Sequence, residues 1–411
     1  MPRKSLPPDP AQTELAIVGG GLSGLLLAIA CAGAGIETVL IDRQAPAAMK
    51  GAGYDGRTTA IAYGSQQVLS GIGLWDALAR EAEPIREIRV ADGRSPFFLH
   101  YDHRELGDAP LGYIVENQRL RRALIDRAQE LDALTLLAPL GVVGCEASAS
   151  AASLRLSDGR VLRASLVIGA DGRNSPLREA AGICSLRKNY GQTAIVCTVR
   201  HELPHHGVAV EHFRGAGPFA ILPMRMNRSS IVWTERSEDA QHILALDENG
   251  FARELATRFG DHLGALAIEG ERWSYPLALL RAERIIASRL ALVGDAAHVI
   301  HPIAGQGWNL GVRDVAALAE LLVDAVRLGL DLGADSLLER YERWRRVDNL
   351  TLTAVTDGLN RLFTIETPPV RLVRDLGLAA VNRAPLAKRF LMRHAMGLVG
   401  DAPRLVRGAP L

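Results

Sequence analysis

The chain has 411 residues, long for one domain and comfortable for two, with 48% hydrophobic and 23% charged residues. Lys plus Arg number 47 and Asp plus Glu 46, so a net charge of +1 gives no overall drive toward nucleic acid or acidic membranes. Its four cysteines (Cys31, Cys145, Cys184, Cys197) form no C-x-x-C pair and have no zinc-like partner nearby. They read as buried free thiols in a reducing compartment.

Residues 1–13 carry prolines and polar groups and read as a disordered tail. Leu15 to Ile36 is nearly all apolar, long enough for a membrane span, and follows a basic start. Glycines cluster near its beginning, however, where a phosphate-binding turn needs them and a membrane helix does not. A β-run (Leu15–Val18), a glycine turn, a helix (about 23–34) and a second β-run (Glu37–Asp42) make a β-α-β unit. The turn contains G-x-G-x-x-G as Gly19, Gly21 and Gly24. The first permits the turn, the second lets the backbone approach a pyrophosphate, and the third lets helix and strand pack closely. The helix N-terminus then faces the phosphates, and Asp42 stands where a ribose hydroxyl would be accepted. The bland alternative is a tight turn that binds nothing.

Gly64 to Arg80 reads as short helical pieces with Ser65 as a candidate cap, and Asn117 to Leu131 as a helix. Leu154 to Ile168 alternates like a hairpin about Ser157-Asp158-Gly159. The run Val167 to Gly172 is a buried strand ending in a tight loop, and Gly169 to Arg178 is the second signature. Asp171 and Gly172 suit a loop that meets a ligand, although Asp-Gly alone is an ordinary turn. From about 188 to 235 the pattern is β, and helical spacing returns at Phe251–Phe259. A third core strand (Leu290–Val293) leads into a glycine-rich loop and a helix from about 310 to 328. This third signature runs from Gly294 and Asp295 to Asp314. Asp295 can hold a polyol hydroxyl. The stretch Gly305, Gln306, Gly307 to Gly311 enters a helix, so its amides can face an anionic ring carbonyl. His298 and His301 read as structural, and no metal site is expected. After Asp335 the chain reads as helical to its end, broken at Pro368, Pro369 and Pro385. The fold expected is α/β: a nucleotide-binding fold assembled from early, middle and late segments, with a mostly β domain inserted.

Together and in this order, the three signatures resemble the class A FAD-dependent aromatic monooxygenases, the p-hydroxybenzoate hydroxylase-like group, over about residues 14–345. Asp55–Ser65, Glu116–Leu120, Gly217–Pro223, the His301–Asp314 run and the helical tail narrow the resemblance. They look like the ubiquinone-biosynthesis hydroxylases of the UbiH/UbiF/VisC type. The resemblance implies a Rossmann-like FAD-binding domain in three parts (14–85, 113–187, 284–345), a substrate domain in two (86–112, 188–283), and a C-terminal helical segment (346–411). It implies that Gly19, Gly21 and Gly24 hold the FAD pyrophosphate, and that Asp42 holds the adenosine ribose. Arg57 would lie along the phosphates or ribityl chain, Asn117 beside the cofactor, and Asp171 with Gly172 where both FAD and the passing nicotinamide meet. Gly294 and Asp295 would hold the ribityl chain, with Gly305 and Gln306 at the flavin. The expected catalytic set is Pro302 at the flavin face and the amides of Gly307, Asn309 and Leu310 at the pyrimidine edge.

The chemistry implied is reduction of FAD by NAD(P)H or a ferredoxin-type donor, addition of O2 at flavin C4a, and hydroxyl transfer from the hydroperoxide to an electron-rich ring. No second G-x-G-x-x-G has strand and helix context, so NAD(P)H would bind transiently. The implied substrate is a polyprenylated phenol. Other ubiquinone-biosynthesis proteins or the membrane surface are candidate partners through Arg374, Arg383, Lys388, Arg389 and Arg393; nucleic acid is not. The location expected is cytoplasmic, with a peripheral place on the inner membrane left open. Val210, His212, Phe219, Leu222, Met224 and Trp233 are expected to line the pocket, with His212 and Tyr190 as candidate bases, each read first as structural. Three alternatives stay open: a hydroxylase of a small soluble aromatic, a non-oxygenating FAD-dependent reductase or isomerase, and a non-catalytic FAD-holding subunit.

Overall fold

The computed structural model describes residues 11–51, 53–93, 95, 98–365 and 367–411. Most of the stretch expected as a tail, 1–10, lies outside them, as does the Arg371 side chain.

Strand β1 (Ala11–Val18) runs into the glycine turn and helix α1 (Leu22–Gly33), and strand β2 (Thr38–Ile41) follows. Strands β3 (Val161–Gly169) and β5 (Leu290–Leu292) come from the middle and late segments, and β4 (Val208–Arg214) lies between them in sequence. β1 pairs in parallel with β3 and β2, and β3 in parallel with β5, so three distant segments share one eight-stranded sheet. Leu15, Ile17, Val167, Ile168 and Leu292 are each fully buried. Central parallel strands covered on both faces need such continuous apolar runs. β1 begins earlier than expected, at Ala11. Ala11, Gln12 and Thr13 pair with Leu162, Arg163 and Ala164 at the start of β3, which also pairs with 152–155 of the hairpin.

A second eight-stranded sheet takes 87–92 and 98–102 from the early segment, 185–201, β4, 217–224, 228–236 and 266–282 from the middle, and the two-residue strand 298–299 from the late one. Its outer face buries Val210, Phe219, Ile231 and Trp233 under helices 237–245 and 248–259. The 17-residue strand Leu266–Ala282 was not expected, because Gly270 and Pro276 interrupt its alternation. Pro276 is tolerated there: on one side the strand meets only His298 and Val299, through Leu280 and Arg281, so most of it is an edge.

Helix α2 (Gln306–Arg327) is buried against α1, and helix α3 (Asp335–Thr364) packs on α2. The boundary expected at 345/346 falls inside α3. Pro368 and Pro385 start helices α4 (Pro368–Arg383) and α5 (Pro385–Ala395), a first-turn position that needs no N–H. The chain is not helical to its end. Gly397 and Gly400 take positive φ, and the last residues turn back so that Leu405 and Val406 enter the main core. Ser65 is not a cap. The helix Tyr63–Gly71 has no side-chain cap, and Ser65 is buried within it. Among the described residues no helix is long and apolar enough to cross a membrane. All four cysteines are free; Cys31 and Cys197 are buried as expected, but Cys184 is exposed and Cys145 partly so.

One polar knot lies inside this packing. Asp314 on α2 accepts from Arg345 Nε on α3 (2.8 Å), pairs with His298 Nε2 (2.5 Å), and accepts from the Gly294 amide (3.2 Å). Both Asp314 and Arg345 are fully buried. Burial alone would raise the Asp314 carboxyl, but His298 and Arg345 hold it below the usual carboxylate range. The stability it contributes is therefore present above the unfolded carboxylate range and lost as pH falls through its lower folded value. Arg345→Met leaves Asp314 as an unpaired buried charge and should cost about 3–5 kcal/mol in urea unfolding. Adding Asp314→Leu should recover part of that loss; a single variant as stable as wild type would remove the knot from the fold's foundations.

Candidate active site

The site forms where the two sheets and the N-termini of α1 and α2 meet. Gly19 has φ +110°, and a Cβ there would lie 2.3 Å from the Ala170 carbonyl oxygen. A Cβ on Gly24 would lie 1.9 Å from the Gly19 carbonyl oxygen, so α1 touches the turn backbone to backbone. At Gly21 the same construction meets nothing within 4 Å, which leaves open space in front of an α1 terminus that no side chain caps. Asp42 is fixed at the end of β2 by the amides of Gly20 (2.6 Å) and Gln44 (2.7 Å). Each carboxylate oxygen keeps a lone pair for another donor.

Asp171 follows β3. Its Oδ2 accepts from the Leu177 amide (3.1 Å), while its Oδ1 is buried without a partner. Burial raises this carboxyl above its ordinary value. Gly172 beside it has φ +85° and open space at its Cβ. Asp295 follows β5, preceded by Gly294 at φ +59°. The Asp295 side chain is accessible in the cleft, yet it lies deep enough that desolvation raises it, opposed by His298, Arg173 and Arg57. Arg57 itself pairs with Asp55 (Nε to Oδ2, 2.9 Å) and lies over the Tyr275 ring at 5.3 Å. The three signatures and Arg57 therefore converge on one cleft.

Asn117 is buried and accepts from Thr59 Oγ1 (2.5 Å), while its amide donates to the Arg57 carbonyl (3.0 Å). It braces the strand behind Arg57. The third signature turns sharply after Pro302: Ala304 has φ +55° and Gly305 φ +62°. A Cβ on Gly305 would lie 2.7 Å from that of Ala60. Gln306 opens α2 and donates to the carbonyls of Ala304 and Ala395, both at 3.3 Å. No side chain caps α2, so the amides of Gln306, Gly307 and Trp308 have no helical partner.

The expected role of the α2 amides is therefore narrower than the sequence implied. The amides of Asn309 and Leu310 lie within the helical ladder. The Asn309 side chain accepts from the Ala62 amide (2.9 Å) and donates to the carbonyls of Ala60 (2.8 Å) and Gly305 (3.0 Å), clamping α2 to strand 58–62. Leu310 is buried with Leu279 and Ile300.

The expected pocket wall also divides. Val210, Phe219 and Trp233 belong to the outer core, because β-strand side chains alternate between faces. His212 shares that face. Leu222 and Met224 face inward, with Tyr101, Met392 and Met396. Tyr190 packs edge-on against His301 (5.1 Å) under Lys188 (4.8 Å). His298 is structural, as read, through Asp314. His301 is fully buried with neither ring nitrogen partnered, and burial pushes its imidazole down to about 4. Glu87, His100 and Asp102 cluster on the sheet edge, but Arg89 (2.9 Å) and Arg104 (2.6 Å) pair with the two carboxylates. Sequence reasoning missed Glu211, a buried acid on the inward face of β4. Its signal is the alternation itself: Val208, Val210 and His212 take one face, and Ala209, Glu211 and Phe213 the other.

Comparison with known proteins places this geometry. Residues 12–352 match the family model described as FAD binding domain. The chain is 55% identical over 401 residues to the ubiquinone hydroxylase UbiL of Rhodospirillum rubrum, covering 97% of this chain and 93% of that protein. It is 35% identical to the 3-demethoxyubiquinol 3-hydroxylase of Escherichia coli, covering 94% and 99%. The crystal structure of p-nitrophenol 4-monooxygenase PnpA from Pseudomonas putida superposes with a TM-score of 0.78 at 20% identity, over 95% of this chain and 99% of that one. The residues present fit FAD: open space at Gly21, two uncapped helix N-termini, and the unpartnered Oδ1 of Asp171.

Gly21→Val should keep the fold and lose FAD, whereas Gly24→Val should lose both. Visible absorbance of the purified protein and its melting curve separate these outcomes, and a full flavin spectrum in Gly21→Val would reject the first motif. His301 supplies a pH prediction. The unfolded imidazole takes a proton below 6.5 and the folded one only below about 4, so stability is lost as pH falls across that interval. The loss should reach about 2 kcal/mol by about pH 5. His301→Leu should flatten it, as read from urea midpoints at the two pH values.

Proposed function

The chain belongs to the FAD binding domain family and to its ubiquinone-biosynthesis hydroxylases, and from that premise we propose that it is an FAD-dependent monooxygenase hydroxylating the aromatic ring of a polyprenylated phenol. The observation that carries this reading is the 55% identity to the R. rubrum ubiquinone hydroxylase, continuous across the nucleotide sheet, the site loops and the substrate sheet. FAD, when bound, supplies reduction by NAD(P)H or another donor and the activation of O2 that puts one oxygen on the ring.

The chain's own residues do the rest. The turn Gly19–Gly24 and the α1 amides take the pyrophosphate, and Asp42 takes the adenosine ribose. Arg57, Asp171, Gly172, Gly294 and Asp295 line the path between the pyrophosphate and the ring. At the far end, the free amides of Gln306, Gly307 and Trp308 and the positive end of α2 favour negative charge on the ring's pyrimidine edge. Pro302 and Ile303 face the inner side of the second sheet, where Phe213 and Phe363 stack at 3.8 Å and exclude water.

A polyprenyl tail calls for a lipid surface or a lipid-handling partner. Helices α4 and α5 expose Val373, Leu376, Leu386 and Phe390 beside Arg383, Arg389 and Arg393. This combination supports a peripheral place on an inner membrane or against another enzyme of the pathway. Arg374 and Lys388 do not belong to that face: they are buried and paired with Asp92 (2.8 Å) and Glu105 (2.5 Å).

Under 18O2 the product should gain one 18O atom, and a strain without the gene should accumulate a prenylated phenol one oxygen short of the next intermediate. Normal quinone in that strain would overturn the pathway and leave a hydroxylase of a small aromatic. No 18O in any product would overturn the monooxygenase reading.

A further inference from the structure

Glu211 is a buried acid on the inner face of the second sheet, turned toward the third signature. It lies mid-strand on β4, between Ala220 of one neighbour and Val90 of the other. Its polar contact is the backbone of Ala304, in the sharp turn between Pro302 and α2. Along the same face, Phe213 packs against Ile303 and Phe363. The Glu211 carboxyl, the Phe213–Ile303–Phe363 cluster and the Ala304 turn therefore lie together on the inner face of the second sheet.

The charged groups elsewhere do not neutralise it. On the inner face, Asp92 and Arg374 pair with each other at 2.8 Å, beside Phe213 and Phe363. On β4 itself, His212 and Arg214 lie on the opposite face, where His212 senses Arg214 and His262. From α3, Asp357 is held by Lys188 (2.7 Å) and Arg361 (2.7 Å). Neither His301 nor Lys188 contributes to the environment of Glu211, whose carboxyl is shifted by burial and the Ala304 amide alone. A buried carboxylate without a cation costs several kcal/mol unless something repays it. No ion pair repays it here.

We propose that Glu211 binds the phenolic O–H of the substrate and accepts its proton as the ring is hydroxylated. This rests on the reading of the chain as a phenol hydroxylase. The step is a proton transfer. The O–H bond of the phenol breaks, its electron pair stays on oxygen and flows toward the ring carbon that takes the new oxygen, and the proton forms a new O–H bond on Glu211. That proton leaves to solvent or returns to the product's oxygen when the ring regains aromaticity, so the carboxylate is restored. Ring carbons ortho and para to a phenolate are more electron-rich than those of the phenol, so the acceptor speeds the transfer of an electrophilic oxygen. Burial pushes the Glu211 carboxyl up to about 7, so the form able to accept the proton becomes dominant as pH rises through neutrality.

A purely structural Glu211, merely holding the Ala304 turn, would affect FAD content and melting but would not discriminate a phenol from its ether. The test uses purified holoenzyme with a short-chain 2-prenylphenol and its methyl ether, each titrated by the change in flavin absorbance. Wild type should prefer the phenol by about tenfold at pH 8 and lose that preference toward pH 6, and E211L should show none. E211Q should bind FAD normally and be reduced at the wild-type rate. Its hydroxylated product per flavin reoxidised should fall by about 10²-fold, with no rise across neutral pH. Wild-type yield and pH profile in E211Q would overturn the proposal, as would a phenol preference that survives in E211L. If wild type itself yields no hydroxylated product, the phenol-hydroxylase reading fails separately, and the phenol-to-ether ratio still decides whether Glu211 holds a phenolic hydrogen. E211Q also keeps the test open should E211L not fold.

Discussion

The site depends on the buried contact between Asp314 and Arg345. Two charges out of water are costly, and apolar replacements of such pairs are often as stable, so its value here is positional. Asp314 is reached by the amide of Gly294, by His298 and by Arg345, from the end of β5, from the strand after it and from α3. Asp348 and Asn349 on α3 take up the rest of the Arg345 guanidinium. One carboxylate thus sets the distance between the loop that carries Asp295 and helix α2. The 3.2 Å hydrogen bond at Gly294 sits one residue from Asp295.

That knot works only because α1 and α2 can approach closely. A Cβ on Gly294 would lie 2.7 Å from Ser23 Oγ, and one on Gly311 would lie 3.2 Å from the Gly294 Cα. Small residues at the crossing bring two helix N-termini toward the same cleft, each with unpaired amides and neither with a side-chain cap. A dinucleotide is anionic at its pyrophosphate and, when its flavin is reduced, at the ring. Two positive helix ends opening on the cleft would answer both charges together with Arg57.

What the sequence made legible follows from this. Gly19 and Gly24 could be read because backbone contact excludes a Cβ there, Gly305 because its left-handed φ and the nearby Ala60 Cβ favour glycine, and Asp171 and Asp295 because each ends a buried strand. The β-runs within 188–235 were readable from alternation. The strand 266–282 was not, since edge strands tolerate the glycine and proline that disguise them. Nor could a single chain's pattern tell which face of the second sheet is core. Val210 and Trp233 look like pocket wall until helices 237–245 and 248–259 cover them. Asn309 looked like a site residue because it stands in a site motif, and only the hydrogen bonds to Ala60, Ala62 and Gly305 reveal a clamp.

The turn at Ala304 and Gly305 is where fold and chemistry constrain each other most tightly. Two successive left-handed residues are unusual, and for Ala304 the conformation costs on the order of 1–2 kcal/mol. An ordinary helix start would avoid that cost with a Ser or Asp cap, but the cap would occupy the amides that α2 must offer. The left-handed pair instead directs the chain into α2 with its first amides free, while the Asn309 clamp holds the turn from behind. The Ala304 backbone is left toward Glu211 and the inner sheet. Stability that a cap would have supplied is forgone at the helix end and offset by the hydrogen bonds of the Asn309 side chain to Ala60, Ala62 and Gly305, which leave the first backbone amides of α2 free.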